Sequence, residues 1–545
     1  MCYYVAIMTH PIHLEIQTHR GKPCGLLRST YREDGKIKHT SHGRITGCSL
    51  QTLKLIQASF RGEVILKSDA DALRLLSSRE YGASKALLSL ADEIGLTRAL
   101  YSRCEPWVRD CLAMIVGRIV YAGSKLALSH QWKNTALWQL CGVEGEVDVH
   151  QHCYQAMDRL LERQEAIQKH LADKHLAQGS LVLYDITSSY FEGEYADSEI
   201  VKFGYNRDGK RGHEQVVIGL LCSKEGCPVG VEVFTGNTQD ASTVPNKIAE
   251  LQNRYGPKDL IFVGDRGMVT QAVEGKISGV KGLSTISALT HRQIVTLLAR
   301  KVVQPELFDE RDIVEVIDPE DLTRRYCLCR NPQSAERDGN TRRTLLARTQ
   351  QELDKMVASK RSGDADKIAA RVGRLLAKTK MGKFVQWSTE DGKLLWCFNE
   401  EKIEAEQLFD GCYIIVSNVP AEQMTKRQLV ASYKSLALVE TAFRNLKTVQ
   451  LEVRPVFHKT DDRIRVHVFL CVLAYYLQWH MNQRLQPLYD SDGTQAKRQW
   501  TFQAVIDRLG AIRSQCIKMA GTEFEQITLP EEDQQKILDL LNVKL

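Results

Sequence analysis

Two short apolar runs, LVLYDIT (181–187) and LIFVGDRG (260–267), read as strands that end in an aspartate, Asp185 and Asp265. A third carboxylate, Glu440, lies in YKSLALVETAFRNLK (433–447). Taken singly, a strand-end aspartate is ordinarily a turn residue or a helix cap. Glu440 with Arg444 four residues on is, by itself, an ordinary surface ion pair worth a few tenths of a kcal/mol. Together the three carboxylates can hold two Mg²⁺ ions, hard cations that take oxygen ligands. Two metals about 4 Å apart clamp the attacking and leaving oxygens of a phosphodiester displacement. Such a pair activates water or a 3′-hydroxyl, so the chemistry needs no nucleophilic side chain.

The elements that must position these groups follow from periodicity. Strand ends in α/β sheets are where ligands and metals collect. Between the two aspartates, QVVIGLLCS (215–223), a turn at Lys224–Glu225–Gly226 and PVGVEVFTG (228–236) predict an antiparallel hairpin. On a helical wheel over 433–447, Leu436, Val439, Phe443 and Leu446 fall within an arc of about 80°, a core face. Tyr433, Glu440, Arg444 and Lys447 share an adjacent arc of about 60°. The spacing therefore predicts one helix presenting a carboxylate beside a hydroxyl donor, a planar fork and a point charge, all suited to phosphate oxygens.

The whole chain is 545 residues, enough for roughly three or four domain-sized units. Lys plus Arg number 73 against 67 Asp plus Glu, a net charge of +6 that is compatible with a nucleic-acid partner. With 43 % hydrophobic and 26 % charged residues, the composition excludes a disordered, collagen-like or purely coiled-coil chain. The longest apolar run, Val466 to Leu477, is too short to span a bilayer, and the N-terminal residues carry no secretion signal, so no membrane partner is expected. Fifteen cysteines without a C-x-x-C read as reduced, cytoplasmic thiols and not as disulfides or zinc ligands. By texture, residues 1–65 form a small β-rich module and 66–175 a helical region, either a helix–turn–helix or a plain bundle. The core begins at 176–300. A β-rich insertion, with a basic helical piece from Lys355 to Lys380, occupies 301–415. Core helices resume at 416–480, and 481–545 is helical.

The chain resembles the DDE transposases of the bacterial insertion-sequence-four superfamily, in its long-chain branch. The matching pieces are YDITSSYFEG (184–193), GYNRDGKRGHEQVVIGLL (204–221), FTGNTQD (234–240), FVGDRGM (262–268) and YKSLALVETAFRNLK (433–447). EVRPVFH (452–458) and RIRVHVFLCVLAYYL (463–477) match as well, and weaker similarity in GSKLAL (123–128) extends toward the N-terminus. The resemblance implies an α/β fold: an RNase H-like mixed sheet with flanking helices, interrupted by a β-rich insertion domain, plus a helical N-terminal DNA-binding region. It implies a catalytic triad, also the metal ligands, of Asp185, Asp265 and Glu440, with two Mg²⁺ ions or Mn²⁺ as substitute. Tyr433, Arg444 and Lys447 are the implied DNA contacts. The family signature Y-x2-R-x3-E-x6-K matches at Tyr433, Glu440 and Lys447 but has Leu436 at the Arg position. Leu436 belongs to the apolar face of the wheel, so Lys434 or Arg444 would supply the missing cation.

In related enzymes a tryptophan of the insertion stacks on a flipped base. Trp387 and Trp396 are candidates, each with a core aromatic as the plainer alternative, and His467 is either a core histidine or an active-site group. The implied function is cut-and-paste DNA transposition in the bacterial cytoplasm at the nucleoid. Its partners would be the terminal inverted repeats and target DNA, held by a homodimer in the paired-end complex. The alternatives are an RNase H-like nuclease without strand transfer and a catalytically silent DNA-binding relic.

Overall fold

The computed structural model describes residues 11–545 apart from 34, 63–72, 104, 177–180, 211, 240–241, 244–259, 267, 269–281, 305–306, 308–312, 359–364, 450, 491–499 and 520–521. The chain divides into two units, residues 1–78 with 514–528, and residues 79–513 with 529–545. In the first unit, β1 (Ile12–His19), β2 (Lys22–Glu33) and β3 (Lys36–Ile45) form an antiparallel sheet in that order. The β1–β2 turn places Arg20 and Gly21 at φ 50° and 75°, the conformation a two-residue hairpin turn requires. The helix Leu50–Phe60, capped by the Ser49 hydroxyl, buries Leu53 together with Leu14 and Cys24. A fourth strand, β4 (Leu73–Glu80), follows.

In the second unit the chain first runs through helices, of which Gly82–Glu93, Pro106–Val120 and Ala156–His175 are the longest. The first of these stops before Gly95, which takes φ 75°. An eight-stranded mixed sheet comes next, built from β5 (Leu181–Tyr190), β6 (Gln215–Ser223), β7 (Pro228–Thr235), β8 (Leu260–Gly264), β9 (Leu283–Ala288), β10 (Val314–Asp318), β11 (Asp321–Arg330) and later β14 (Cys412–Ser417). Its strand order is β10-β11-β14-β9-β8-β5-β6-β7. β5, β8 and β9 are parallel neighbours, and the other pairings are antiparallel. All nine residues of β6 are buried, as the unbroken apolar run QVVIGLLCS requires of a strand covered on both faces.

The helices Leu436–Arg444 and Asp461–Asp490 pack on this sheet, the first over β5 and the second over β7. Every residue from 466 to 478 in the second helix is buried. That explains why Val466 to Leu477 is apolar all round: it is a core helix and not an amphipathic one. Leu470, Leu473 and Leu477 are fully buried there, so truncating any one to Ala would cost roughly 2–5 kcal/mol. Among the described residues, no single helix is long and apolar enough to cross a membrane.

Three expectations change. The stretch 301–415 is not a β-rich insertion: β10 and β11 belong to the main sheet, which the chain leaves at Arg330 and rejoins at Cys412. Between them lie the helices Pro332–Ala358, Ala365–Thr379 and Glu400–Gln407, with one hairpin of β12 (Val385–Glu390) and β13 (Lys393–Phe398). The segment is rich in Ala, Leu, Arg, Lys and Gln, strong helix formers. Its apolar residues sit at helical spacing, so that Leu353, Val372 and Leu376 close on Val385 and Leu394 of the hairpin. The region 481–545 is likewise not wholly helical. β15 (Arg513–Met519) and β16 (Thr522–Ile527) form a hairpin whose other neighbour is β4, more than 400 residues earlier. These strands are polar and largely solvent-facing, so they carry little period-two signal. The same pairing makes 73–80 a strand at the start of the region 66–175, which had been read as helical.

Candidate active site

The last register pair between the parallel strands β5 and β8 is Tyr184 with Gly264. One step further along both strands come Asp185 and Asp265, which therefore emerge side by side where β8 ends, on strands about 4.8 Å apart. The Asp265 carbonyl accepts from the Ser287 hydroxyl of β9 at 3.2 Å and from the Met268 amide at 3.1 Å, which fixes the backbone at the strand end. Asp185 does not end its strand, as its place in LVLYDIT suggests: β5 runs on to Tyr190, and Asp185, half-buried in its middle, accepts from the Ile186 amide at 2.8 Å. Burial, reinforced by the charges of Asp265 and Glu440, raises its carboxyl to about 7, against the opposing Ile186 hydrogen bond and Arg207 charge. Asp185 thus feels the charges of both other carboxylates.

Glu440 comes from the helix Leu436–Arg444, whose residues Leu436, Val439, Ala442 and Phe443 are buried. Asp265, Glu440 and Tyr433 line one cleft of about 460 Å³, together with Arg266, Lys434, Leu436 and residues Asn331, Asp338 and Tyr413. The Tyr433 hydroxyl donates to Oδ1 of Asp265 at 3.2 Å. Burial and the Asp265 charge push this phenol well above its ordinary range, so it stays a neutral donor.

The single helix expected over 433–447 is broken. One helix, Lys426–Lys434, ends before Ser435; the next spans Leu436–Arg444; a π-helical turn covers Asn445–Val449. The wheel therefore fails at its ends. Arg444 is exposed, with Nη2 3.3 Å from the Thr441 hydroxyl, and does not line the cleft. Lys447 does not line it either: its ammonium lies 3.1 Å from Oδ1 of Asp208, whose Oδ2 takes Arg454 at 2.9 Å. Burial lowers Lys447 below the usual lysine range, partly offset by Asp208. Leu436, at 7 % exposure, is buried at the cleft as its place on the apolar face predicts.

Arg266 and Lys434 bring positive charge into the cleft. Lys434 was a named candidate for the missing cation; Arg266 was not singled out, although it follows Asp265 directly in FVGDRGM. Asn331, Asp338 and Tyr413 reach the cleft from the two ends of the segment that leaves the sheet, and nothing in the local sequence marks them. Trp387 and Trp396 face one another in the β12–β13 register. Trp396 packs against the Leu353 cluster and edge-on to Phe398 at 5.0 Å, whereas Trp387 is 38 % exposed. His467 is a core histidine: Nε2 lies 3.0 Å from the Val453 carbonyl, and Nδ1 2.6 Å from the buried ammonium of Lys125. That contact accounts for the GSKLAL piece, whose lysine is Lys125.

The family model described as the transposase DDE domain matches residues 177–477, more than half of the chain. No curated protein matches the sequence. Among solved structures, the chain is similar to one titled "Mos1 transposase paired-end complex with left transposon end", at 13 % identity over 44 % of this chain and 68 % of that one. The TM-score is 0.15, too low for that likeness to carry an argument.

Proposed function

The chain belongs to the transposases with a DDE domain, and from that premise we propose that it cuts DNA at the ends of a mobile element and joins the freed 3′ ends to target DNA. The convergence of Asp185, Asp265 and Glu440 carries this reading. The donor set fits hard divalent cations: burial, and then the charges of Asp265 and Glu440, raise Asp185 to about 7, a cost that bound cations would relieve. Two Mg²⁺ ions, or Mn²⁺, would supply Lewis-acid activation of water or a 3′-hydroxyl in an in-line displacement. Asp185, Asp265 and Glu440 would hold them. Tyr433 fixes the Asp265 carboxylate through its hydrogen bond. Arg266 and Lys434 offer the cleft's positive charge to a phosphate, and Lys434 takes the part left open by Leu436. Lys447 and Arg444 remain proposed phosphate contacts flanking the cleft, and for Lys447 this means exchanging Asp208 for a phosphate oxygen.

The strand order β7-β6-β5-β8-β9, three antiparallel strands followed by two parallel ones, supports an RNase H-like core; the motif resemblance alone supports a place in the insertion-sequence-four superfamily. The partners would be terminal inverted repeats and target DNA. Pairing and joining two ends calls for two active sites, hence a homodimer. The setting would be the bacterial cytoplasm, at the nucleoid.

The test is a cleavage and strand-transfer assay with purified chain, a labelled element end and Mg²⁺ or EDTA, with Asp185→Ala as control. Metal-dependent nicking at the end, followed by joining to a second DNA and lost in the variant, is the expected result. Cleavage without joining would make the protein a nuclease. End binding without cleavage in Mg²⁺ or in added Mn²⁺ would make it a silent relic.

A further inference from the structure

His175, Cys227 and His480 bring three metal-ligating atoms within 4.8 Å of one another. They come from three separate elements: the last residue of the helix Ala156–His175, the residue before β7, and the helix Asp461–Asp490. None of them lines the carboxylate cleft. Cys227 is completely buried. Nε2 of His480 is buried without a hydrogen-bond partner, an arrangement proteins seldom leave uncompensated. Nε2 of His175 is held by the Tyr476 hydroxyl at 2.9 Å, the kind of outer contact that orients a ligating imidazole through its other nitrogen.

The cations nearest the cluster are engaged elsewhere. Lys174 itself donates to the Ile94 carbonyl, and Arg484 pairs with Glu93 at 2.7 Å, so both neighbouring cations have their own partners. The Glu225 carboxylate acts electrostatically on both His175 and Cys227.

We propose that His175, Cys227 and His480 form a structural site for a borderline-soft transition metal of the Zn²⁺ type, distinct from the hard-cation cleft. A thiolate with two imidazoles selects such an ion over Mg²⁺. Tetrahedral Zn–N and Zn–S bonds place ligand atoms about 3.3–3.8 Å apart, so side-chain rotations of about 1 Å close the site. Binding exchanges the Cys227 thiol proton, released to solvent, for a sulfur–metal bond, with water in the fourth position. The ion would tie the helix preceding β5 and the β6–β7 turn to the core helix. Because Cys227 has no C-x-x-C partner, its spacing conceals this site, which the reading of all cysteines as plain thiols passed over.

Full-length protein stripped with EDTA and dialysed against Zn²⁺ or Co²⁺ tests the assignment. The expected result is one tightly held Zn²⁺ per chain by elemental analysis, an absorption band of Co²⁺–thiolate charge transfer, and a rise in Tm with added Zn²⁺. Cys227→Ser should abolish the charge-transfer band, and His480→Gln should lower the zinc content at least tenfold with an unchanged circular-dichroism spectrum. Asp185→Ala should keep the zinc, which separates this site from the catalytic proposal. Substoichiometric zinc in the folded wild type, or full zinc content in folded His480→Gln, would overturn it.

Discussion

The Tyr433 hydroxyl lies 3.2 Å from Oδ1 of Asp265, joining the end of the helix Lys426–Lys434 to the end of β8 across 168 positions of sequence. A hydrogen bond to a charged carboxylate contributes about 1.5–3 kcal/mol. Tyr433→Phe should therefore slow single-turnover end cleavage by roughly tenfold, taking 1.4 kcal/mol as one decade. End binding, measured by fluorescence anisotropy, should change by less than about twofold. An unchanged cleavage rate would mean that Tyr433 does not position Asp265 during the reaction.

Glu440 is exposed on the rim of a helix whose opposite face is buried, so Glu440→Gln removes a charge without disturbing packing. Cleavage should fall by at least a hundredfold while Tm and end affinity stay near wild type. Cleavage at the wild-type rate would remove Glu440 from the proposed set of metal ligands.

His458 and His467 lie 5.5 Å apart, ring to ring, beside Lys125. Burial, then the Lys125 charge, lowers His458 to about 3 and His467 well below its usual range. Folded, both stay neutral; unfolded, both take up a proton near pH 6.5. Stability is full above pH 6.5 and is lost as pH falls, by up to about 1.4 kcal/mol per histidine per pH unit. Lys125, lowered to about 8 by burial, keeps its proton throughout that window and does not contribute to the slope. Asp185, raised to about 7, takes up its proton first in the folded state and so opposes this slope over the same range. Calorimetry from pH 7.5 to 5 should still show a falling Tm, since two histidines outweigh one carboxyl, with a shallower fall in His458→Gln.

Residues 1–62 carry nine Lys and Arg against three Asp and Glu, a balance equal to the whole chain's +6. β3 is exposed along nearly its whole length and bears Lys36, Lys38 and Arg44. If this module grips DNA, the double variant Lys36→Ala, Arg44→Ala should weaken end binding and make the log–log salt slope shallower by about 2, one unit per phosphate contact. An unaltered slope would assign DNA binding to other residues.

The two tryptophans of the β12–β13 hairpin should separate by readout. Trp396→Ala removes packing from the Leu353 cluster and should cost roughly 2 kcal/mol of stability. Trp387→Ala, at an exposed position, should leave Tm nearly unchanged. A loss of end opening in that variant, probed by 2-aminopurine fluorescence, would identify it as the base-stacking residue.

Local sequence determined the two apolar strands and the aspartates carried on them, because a buried strand reads as an apolar run; the carboxylate marks the strand end at Asp265, but β5 runs on past Asp185. It also determined the apolar face with Leu436, Val439 and Phe443, and the neighbouring position of Glu440. The core helix was marked by its apolar run, interrupted by His467. Tertiary structure decided the rest. Asp185 and Asp265 become neighbours through parallel pairing across some 80 residues, and the free energy of that pairing comes from burial in the whole sheet. Ser435 breaks the expected helix, and the π-helical turn after Arg444 takes Lys447 to Asp208, because packing on β5 outweighs a few tenths of a kcal/mol of helical side-chain pairing. The segment from 331 to 411 became helical once Val372 and Leu376 had the β12–β13 hairpin to close against. Strands β15 and β16 needed β4 for a neighbour. Periodicity within a window fixes which face of an element is apolar; what covers that face is set by partners hundreds of residues away.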